Sequence, residues 1–474
     1  GSGEWPRQRD KEGPRTKKSP PPGGVVSGLY SAVTATLPGC AGSNGAIDAG
    51  MLEYGGQWVR DASMTAIGVI HTGNFELSRA VFEHILTTMV RDEGVTMISG
   101  GFDNPDREQF DQMGELMYAL KSYVDWTGDI SLLKQHRDKI LKLVERPLSP
   151  NFRDETGMVH NRREFWERTF DDAYELIYQT WVVVGLRCAA DLSGHLNAGD
   201  RAKRWRKEAD VILDAMLHHP TAQLKDNGHL IKRRNRADKQ IASTMIYRGW
   251  KPGAPGSVEA MSSIYPDATM ALPVALNVID PASELARQTI LETEKLWNRR
   301  WSFGGHDRYH TSSQGDQPGP WPFATCFILR GEHEAGMYDY SRRSLEWLYQ
   351  TDGGKAGLWY EVIPLIPSIY ASAGLLPWTS GEVGFFIIHH LLGVKFDGDR
   401  MTIKPNLYET TAPVKADLRY RDSRIKLEIT GGNGTVNHAT VNGKKILPDK
   451  QGRIVMPSNF TGGTISVNMG TFKN

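Results

Sequence analysis

Along most of the chain, apolar residues recur every three or four positions, in segments that come in pairs. Ala62 to Val90 predicts two amphipathic helices joined at His71-Thr72-Gly73-Asn74. Gln112 to Val144 predicts two more, joined at Trp126-Thr127-Gly128-Asp129. Asp171 to Leu217 gives a third pair, interrupted at Ser193-Gly194 and Asn197 to Asp200. A fourth runs from Ala268 to Trp297 around Asp280-Pro281, and a fifth from Pro322 to Tyr349 around Gly331 to Gly336. A last apolar helix, Glu382 to Leu392, stands alone, and Val25 to Leu37 supplies a partner for it. Each joint carries turn residues of the kind that stop helices.

Five hairpins and two single helices make twelve, which close into a mainly α architecture of six inner and six outer helices, an (α/α)6 barrel. Short turns within hairpins then fall at one end and the longer connections at the other. Those connections are Tyr54 to Asp61, Gly100 to Asp111, Asn151 to Phe170, His229 to Pro266, Asn298 to Trp321 and Asp352 to Trp378. They are rich in Trp, Arg, acidic residues, His and Gly, so the site is expected there. After Gly393 the period changes to alternation, as in Arg424-Ile-Lys-Leu-Glu-Ile, with turn signals at Gly431 to Gly434 and Asn442-Gly443. This predicts a small C-terminal antiparallel β domain over residues 394–474 beside a catalytic barrel over 25–393. Residues 1–24 (PRTKKSPPPGG within them) read as a flexible leader or linker.

Composition narrows the class. Hydrophobic residues at 39% and charged residues at 23% are ordinary for a globular protein, and a formal net charge of +1 argues against a nucleic-acid partner. The KRRNR run at Lys232 to Arg236 reads as a solvated stretch of a long loop rather than a nucleic-acid patch. Cys40, Cys188 and Cys326 make no disulfide framework; Cys188 and Cys326 lie in apolar helical runs as buried, inert thiols. No apolar run reaches membrane-spanning length. Secreted or periplasmic residence after loss of a signal is the expectation, with the cytoplasm as the alternative.

Five features in the long connections bear chemistry. Trp58-Val59-Arg60-Asp61 opens the first hairpin; Asp61 reads either as a helix N-cap or, with Arg60, as a grip on sugar hydroxyls beneath Trp58. In His160 to Phe170 (HNRREFWERTF), Glu167 follows Trp166 at the approach to a helix. It reads either as a carboxylate serving the helix dipole or as a proton donor set against an apolar neighbour. Arg308-Tyr309 lies in a Gly-rich loop, Glu361 follows Trp359-Tyr360, and Pro377-Trp378 closes the sixth connection. Two carboxylates across one cleft, Glu167 and Glu361, are what glycoside hydrolysis requires. No spacing suggests a metal-ligand cluster, a phosphate loop or a nucleophile elbow, so neither metal nor cofactor is expected.

These residues, in this order, resemble the glucoamylase-type six-hairpin glycoside hydrolases over roughly Trp58 to Gly393. The matches are Trp58-x-Arg60-Asp61, Trp166-Glu167, Arg308-Tyr309 with Pro320-Trp321, the late Glu361, and Leu376-Pro377-Trp378. The resemblance implies an inverting, metal-free, exo-acting hydrolase with Glu167 as acid and Glu361 as base. Arg60, Asp61 and Arg308 would hold the terminal sugar of an oligosaccharide or polysaccharide, with Trp58, Trp166, Tyr309, Trp359 and Trp378 around it. Two departures point away from starch: Arg168 stands where starch-active members carry a second Glu, and His310-Thr311 replaces Pro-Glu-Asp. Arg168 either pairs with a uronate carboxylate of the substrate or forms an ion pair with Asp171 and Asp172. An acidic sugar opens a second reading, a lyase on the same barrel using His160, His306, His310, Tyr309 or Tyr360. A third is a glycan-binding barrel without catalysis, against which the retained Glu167 and Glu361 speak.

Overall fold

The computed structural model describes residues 24–52, 55–102, 108–167, 169–241, 244–248, 258–262, 266–299, 304–309, 319–363, 374–408, 413–432 and 434–470. The leader over residues 1–23, Arg168 and His310 lie outside them.

The twelve helical segments are present and close into two rings. The inner ring follows the chain through α2 (Val59–His71), α4 (Asp111–Thr127), α7 (Leu176–Leu192), the short α9 (Leu272–Ala275, with the 3-10 turn Ala268–Ala271 before it), α11 (Pro322–Glu334) and α14 (Pro377–Phe385). Each packs on the next, and α14 returns to α2. Outside them stand α1 (Gly24–Thr36), α3 (Phe75–His84), α5 with α6 (Ser131–Gln135, Arg137–Glu145), α8 (Gly199–His218), α10 (Glu284–Thr293) and α12 (Tyr338–Gln350), with the short α13 (Asp352–Ala356) following. The Val25 to Leu37 segment does partner α14.

Burial explains which helix takes which ring. All thirteen residues of α2 are buried, including Arg60, Asp61, Ser63 and Thr65, as befits a helix with neighbours on every side. In α8 the buried set is Trp205, Ala209, Ile212, Ala215 and Met216, one stripe at helical spacing on an otherwise charged helix. Inner helices approach each other through glycine: a Cβ on Gly68 of α2 would lie 2.4 Å from the Gly381 Cα of α14, and one on Gly185 of α7 would lie 2.8 Å from the Gly114 Cα of α4. The sulfur of Cys40 donates to the Thr36 carbonyl, and all three cysteines are buried and free. No helix among the described residues is long and apolar enough to cross a membrane.

The third hairpin differs from its expectation. Helix α7 begins at Leu176, and Thr169–Glu175 is a strand that pairs with Asn161–Arg163 on one side and Arg233–Asn235 on the other. Glu167 therefore sits in the turn of a β-hairpin rather than at a helix entry, with φ +70°. Asp172 does not serve a helix dipole; it bonds His160 Nδ1 at 3.0 Å and Arg236 Nη1 at 3.0 Å.

Beyond α14 the chain turns through Phe386–Leu391 into two small sheets. The larger holds Val414–Tyr420, Ser423–Gly431, Gly463–Met469, Val436–Val441 and Lys444–Ile446, in that spatial order. Ile425, Leu427 and Ile429 are buried while Arg424 and Lys426 are exposed, the alternation read from the sequence. The region is not wholly antiparallel: Ser423–Gly431 pairs in parallel with Gly463–Met469. The hairpin Val436–Val441/Lys444–Ile446 lies between those strands in sequence, a connection long enough to bring the chain back in the same direction. These sheets cover the short-turn end of the barrel. Arg419 donates to the Gly73 carbonyl (3.1 Å), Lys395 meets Glu334 (2.8 Å) at the end of α11, and Trp126 packs edge-on against Phe396 and Tyr420. The opposite end, where the inner helices begin, is left to the long connections.

Candidate active site

Trp58, Phe110, Glu175, Asp267, Trp321 and Leu376 precede the inner helical segments, so polar side chains from different hairpins converge at one mouth. Asp61 is not an N-cap: Trp58 occupies that position, and Asp61 sits in the first turn of α2 with its side chain buried.

Glu167 is held on both carboxylate oxygens. Its Oε1 accepts from Trp58 Nε1 at 3.1 Å and from the Arg60 guanidinium, and its Oε2 accepts from the Arg163 guanidinium four residues back. Arg60 extends the network to Asp111 Oδ2 at 3.1 Å and Asp61 Oδ2 at 3.7 Å, and its guanidinium lies over the Phe165 ring at 4.7 Å. Burial alone would push Arg60 toward the neutral form. Glu167, Asp111 and Asp61 outweigh it and hold the guanidinium charged. The Asp61 carboxyl is pushed up to about 7, by burial first and then by the negative charges of Glu361 and Glu167, against the pull of Arg60. Asp61 thus lies within electrostatic reach of both candidate carboxylates, one from the third connection and one from the sixth.

Glu361 follows the two-residue strand Trp359–Tyr360, and its backbone N–H is held by the Gly374 carbonyl at 3.1 Å. Tyr360 is 43% exposed and remains available at the mouth, whereas Trp359 is buried. The Trp359 indole N–H donates to the Leu348 carbonyl (3.1 Å) and to Thr351 Oγ1 (2.9 Å), which anchors the strand to α12.

A second wall is aromatic. Trp166 packs edge-on against Tyr309, Trp321 and Phe323, and Trp378 lies against Phe165, Phe323 and Phe327. The Arg308 guanidinium covers the Trp321 ring at 3.9 Å and faces Tyr309 at 4.9 Å. Tyr309 in turn donates to Glu164 Oε1 at 3.3 Å.

Beneath this wall, the KRRNR run departs from its reading as a solvated loop. Lys232 and Arg233 are fully buried. Lys232 Nζ bridges Glu164 Oε2 (2.6 Å) and Asp267 Oδ2 (3.0 Å), and Arg233 meets Glu164 Oε2 at 3.2 Å. The Trp166 indole N–H donates to Asp267 Oδ2 at 2.7 Å. Buried charges of both signs in mutual contact form a rigid polar floor that fixes Trp166, and through it the turn carrying Glu167. Sequence reading missed Asp111, Arg163, Glu164, Lys232 and Asp267 as parts of this assembly. Their only signal was position: Asp111 and Asp267 stand at the start of inner helical segments.

Of the lyase candidates, His160 is buried and paired with Asp172, and its Nε2 has no hydrogen-bond partner. His306 is buried with its Nε2 on Glu294 Oε1 at 3.0 Å. Glu294, His306 and Glu332, from three separate elements, bring one donor atom each within 4.8 Å of one another.

No family model matches the chain. It is 23% identical over 399 residues to a cellobionic acid phosphorylase of Neurospora crassa, covering 74% of this chain. The chain spans 47% of the length of that relative. Among solved structures, one titled a wild-type glycosidase matches with a TM-score of 0.57 at 15% identity, over 77% of this chain and 97% of its own. A bacterial glucoamylase complexed with acarbose matches at 0.55 and 18% identity, over 76% of this chain and 55% of its own. The fold is that of (α/α)6 glycosidases. A rhamnosidase from Klebsiella oxytoca with rhamnose bound shares it at 0.52 and 15% identity, over 77% of this chain and 64% of its own. At these identities the likeness is one of architecture.

Proposed function

We propose that the chain is a carbohydrate-active enzyme, an inverting, exo-acting glycoside hydrolase on a non-starch glycan that carries an acidic sugar. The observation that carries this reading is the convergence of Glu167 and Glu361 on the buried Asp61 at the mouth of the barrel. In this reading Glu167 protonates the leaving oxygen and Glu361 takes a proton from the attacking water on the opposite face of the sugar. Both Glu167 oxygens accept from donors in the free protein, so in this reading a bound sugar displaces Arg163 from Oε2 and that oxygen takes up from solvent the proton it then passes to the leaving oxygen, while Trp58 and Arg60 keep Oε1 in place. Arg60 and Asp61 hold the terminal sugar, and Trp166, Trp378 and Tyr309 form the apolar wall beside it. Guanidinium groups of Arg162, Arg163 and Arg308 in the same connections favour an anionic sugar, as does the acid in the name of the Neurospora relative.

That relative also favours a second reading, in which inorganic phosphate replaces water as the attacking group. The lyase reading is weakened by the placement of His160 and His306, each already paired with a carboxylate. Proton NMR of fresh products from neutral and acidic oligosaccharides, with and without phosphate, tests the assignment. A free sugar of inverted anomeric configuration, formed without phosphate, is expected. A sugar 1-phosphate formed only when phosphate is present, or a 4,5-unsaturated uronate, overturns it.

A further inference from the structure

Outside the mouth, three elements of the barrel wall meet at a compact group of donors. Glu294 opens the 3-10 turn that ends α10, His306 lies in the connection leading to Arg308, and Glu332 faces inward from α11. All three are buried. His306 Nε2 lies 3.0 Å from Glu294 Oε1 and 3.8 Å from Glu332 Oε1. Glu332 has no solvent exposure; no basic side chain or backbone N–H donates to its oxygens, and the Glu294 carboxyl lies close enough to share a proton with it. The charged groups facing them are few. Arg343 of α12 reaches Glu294 Oε2 at 2.6 Å and stands 3.7 Å from Glu332 Oε1. The Ser344 hydroxyl lies beside the Glu332 carboxyl.

One guanidinium against two carboxylates leaves a negative charge in a site closed to water, and such a charge is costly unless a proton or a cation neutralises it. We propose that this cluster binds a divalent transition cation, zinc above all, through Glu294 Oε1, His306 Nε2 and Glu332 Oε1. Donors at about 2.0–2.2 Å around tetrahedral zinc stand roughly 3.4 Å apart. The two separations from His306 Nε2, 3.0 and 3.8 Å, bracket that spacing and the third lies within 4.8 Å, so closure requires side-chain shifts of the order of an ångström. One imidazole and two carboxylates form a donor set zinc accepts, and a water fills the fourth position. Arg343, whose side chain is 34% exposed, keeps its bond to Glu294 Oε2 and forms the cover through which the ion enters. The ion would tie the connection bearing Arg308 and Tyr309 to α11, a structural clamp two residues from the mouth.

The test uses the full chain, stripped with a chelator and dialysed, then titrated with zinc sulfate by calorimetry and heated with and without zinc. One zinc per chain and a raised melting temperature are expected. X-ray absorption at the zinc edge should show one imidazole nitrogen with two oxygens at about 2.0–2.1 Å. Glu332→Gln and His306→Gln should each weaken zinc at least tenfold while leaving circular dichroism unchanged. Failure of the unmutated chain to bind zinc overturns the proposal and leaves a proton shared between Glu294 and Glu332 as what neutralises the cluster. Undiminished zinc binding in a folded Glu332→Gln also overturns it, by placing the ion elsewhere.

Discussion

The indole N–H of Trp58 donates to Glu167 Oε1 at 3.1 Å, across 109 residues of sequence. This contact joins the first connection of the barrel to the third, and with Arg60 on the same oxygen it fixes where the candidate acid points. A hydrogen bond to a charged group contributes about 1.5–3 kcal/mol. Trp58→Phe keeps an aromatic side chain, smaller than the indole, and removes the donor. It should lower kcat/KM by roughly ten- to a hundred-fold, with little change in melting temperature, on whichever substrate the product analysis identifies. Unchanged kinetics would detach the indole from the chemistry.

Glu167→Gln and Glu361→Gln separate the two carboxylates. A positioned general acid or base contributes about 10²–10⁴ in rate, so each variant should lose at least that much of kcat. Neither should unfold the barrel, because Glu167 lies in a hairpin turn and Glu361 just after a two-residue strand. Steady-state rates together with thermal melts provide the check. If both variants turn over at near-normal rates, the two-carboxylate mechanism is gone.

The barrel was legible because its inner and outer helices obey one rule, an apolar period set by the faces each must bury. Even the lone Val25 to Leu37 helix was placed, since six inner helices require six outer ones. The strand Thr169–Glu175 was not, because an apolar run entering α7 from Tyr174 onward carries no mark of where pairing ends and the helix begins. Loop length singled out the end where the inner helices begin, and Trp58, Arg60, Asp61, Glu167 and Arg308 are gathered there. The polar floor was invisible for a different reason. Lys232 and Arg233 look like solvated charges until Glu164 and Asp267 are brought to them from 68 and about 35 residues away, and only the fold does that. Trp359, beside the candidate base, is buried with its N–H held by Leu348 and Thr351, an anchoring that its place in the sequence does not reveal.

The position of Asp61 makes stability depend on pH in a defined direction. Its carboxyl rises from an ordinary 3.8 to about 7 in the folded chain. Between those values the folded state holds a proton that the unfolded chain has released. Asp61 is therefore neutral in its effect below about pH 4, increasingly destabilising as pH rises to 7, and constant above that. The full effect is a few kcal/mol at most. Asp61→Asn removes the titration, so the melting temperature of the variant relative to the unmutated chain should climb from pH 4.5 to pH 7 and then level off. A difference that is flat over that range would mean Asp61 is ionised throughout.

The mouth also depends on how closely α2 and α14 approach far below it. An alanine at Gly68 would favour the helix by about 1 kcal/mol in isolation. Its Cβ, however, would stand 2.4 Å from the Gly381 Cα and 3.0 Å from the Gly381 carbonyl oxygen, both backbone atoms that cannot rotate away. Relief requires the two helices to part, at a cost of about 1–3 kcal/mol or more, which exceeds the propensity gain. Parting them also moves Arg60 and Asp61 at the head of α2 relative to Trp378 at the head of α14. Gly68→Ala should therefore lower the melting temperature and reduce kcat/KM together, although no atom of the mouth is altered. Gly381→Ala, with its Cβ 2.9 Å from both the Met64 carbonyl oxygen and the Thr65 Cα, should do the same from the other side. A stabilised Gly68→Ala with intact activity would show that the helices are further apart than this packing requires.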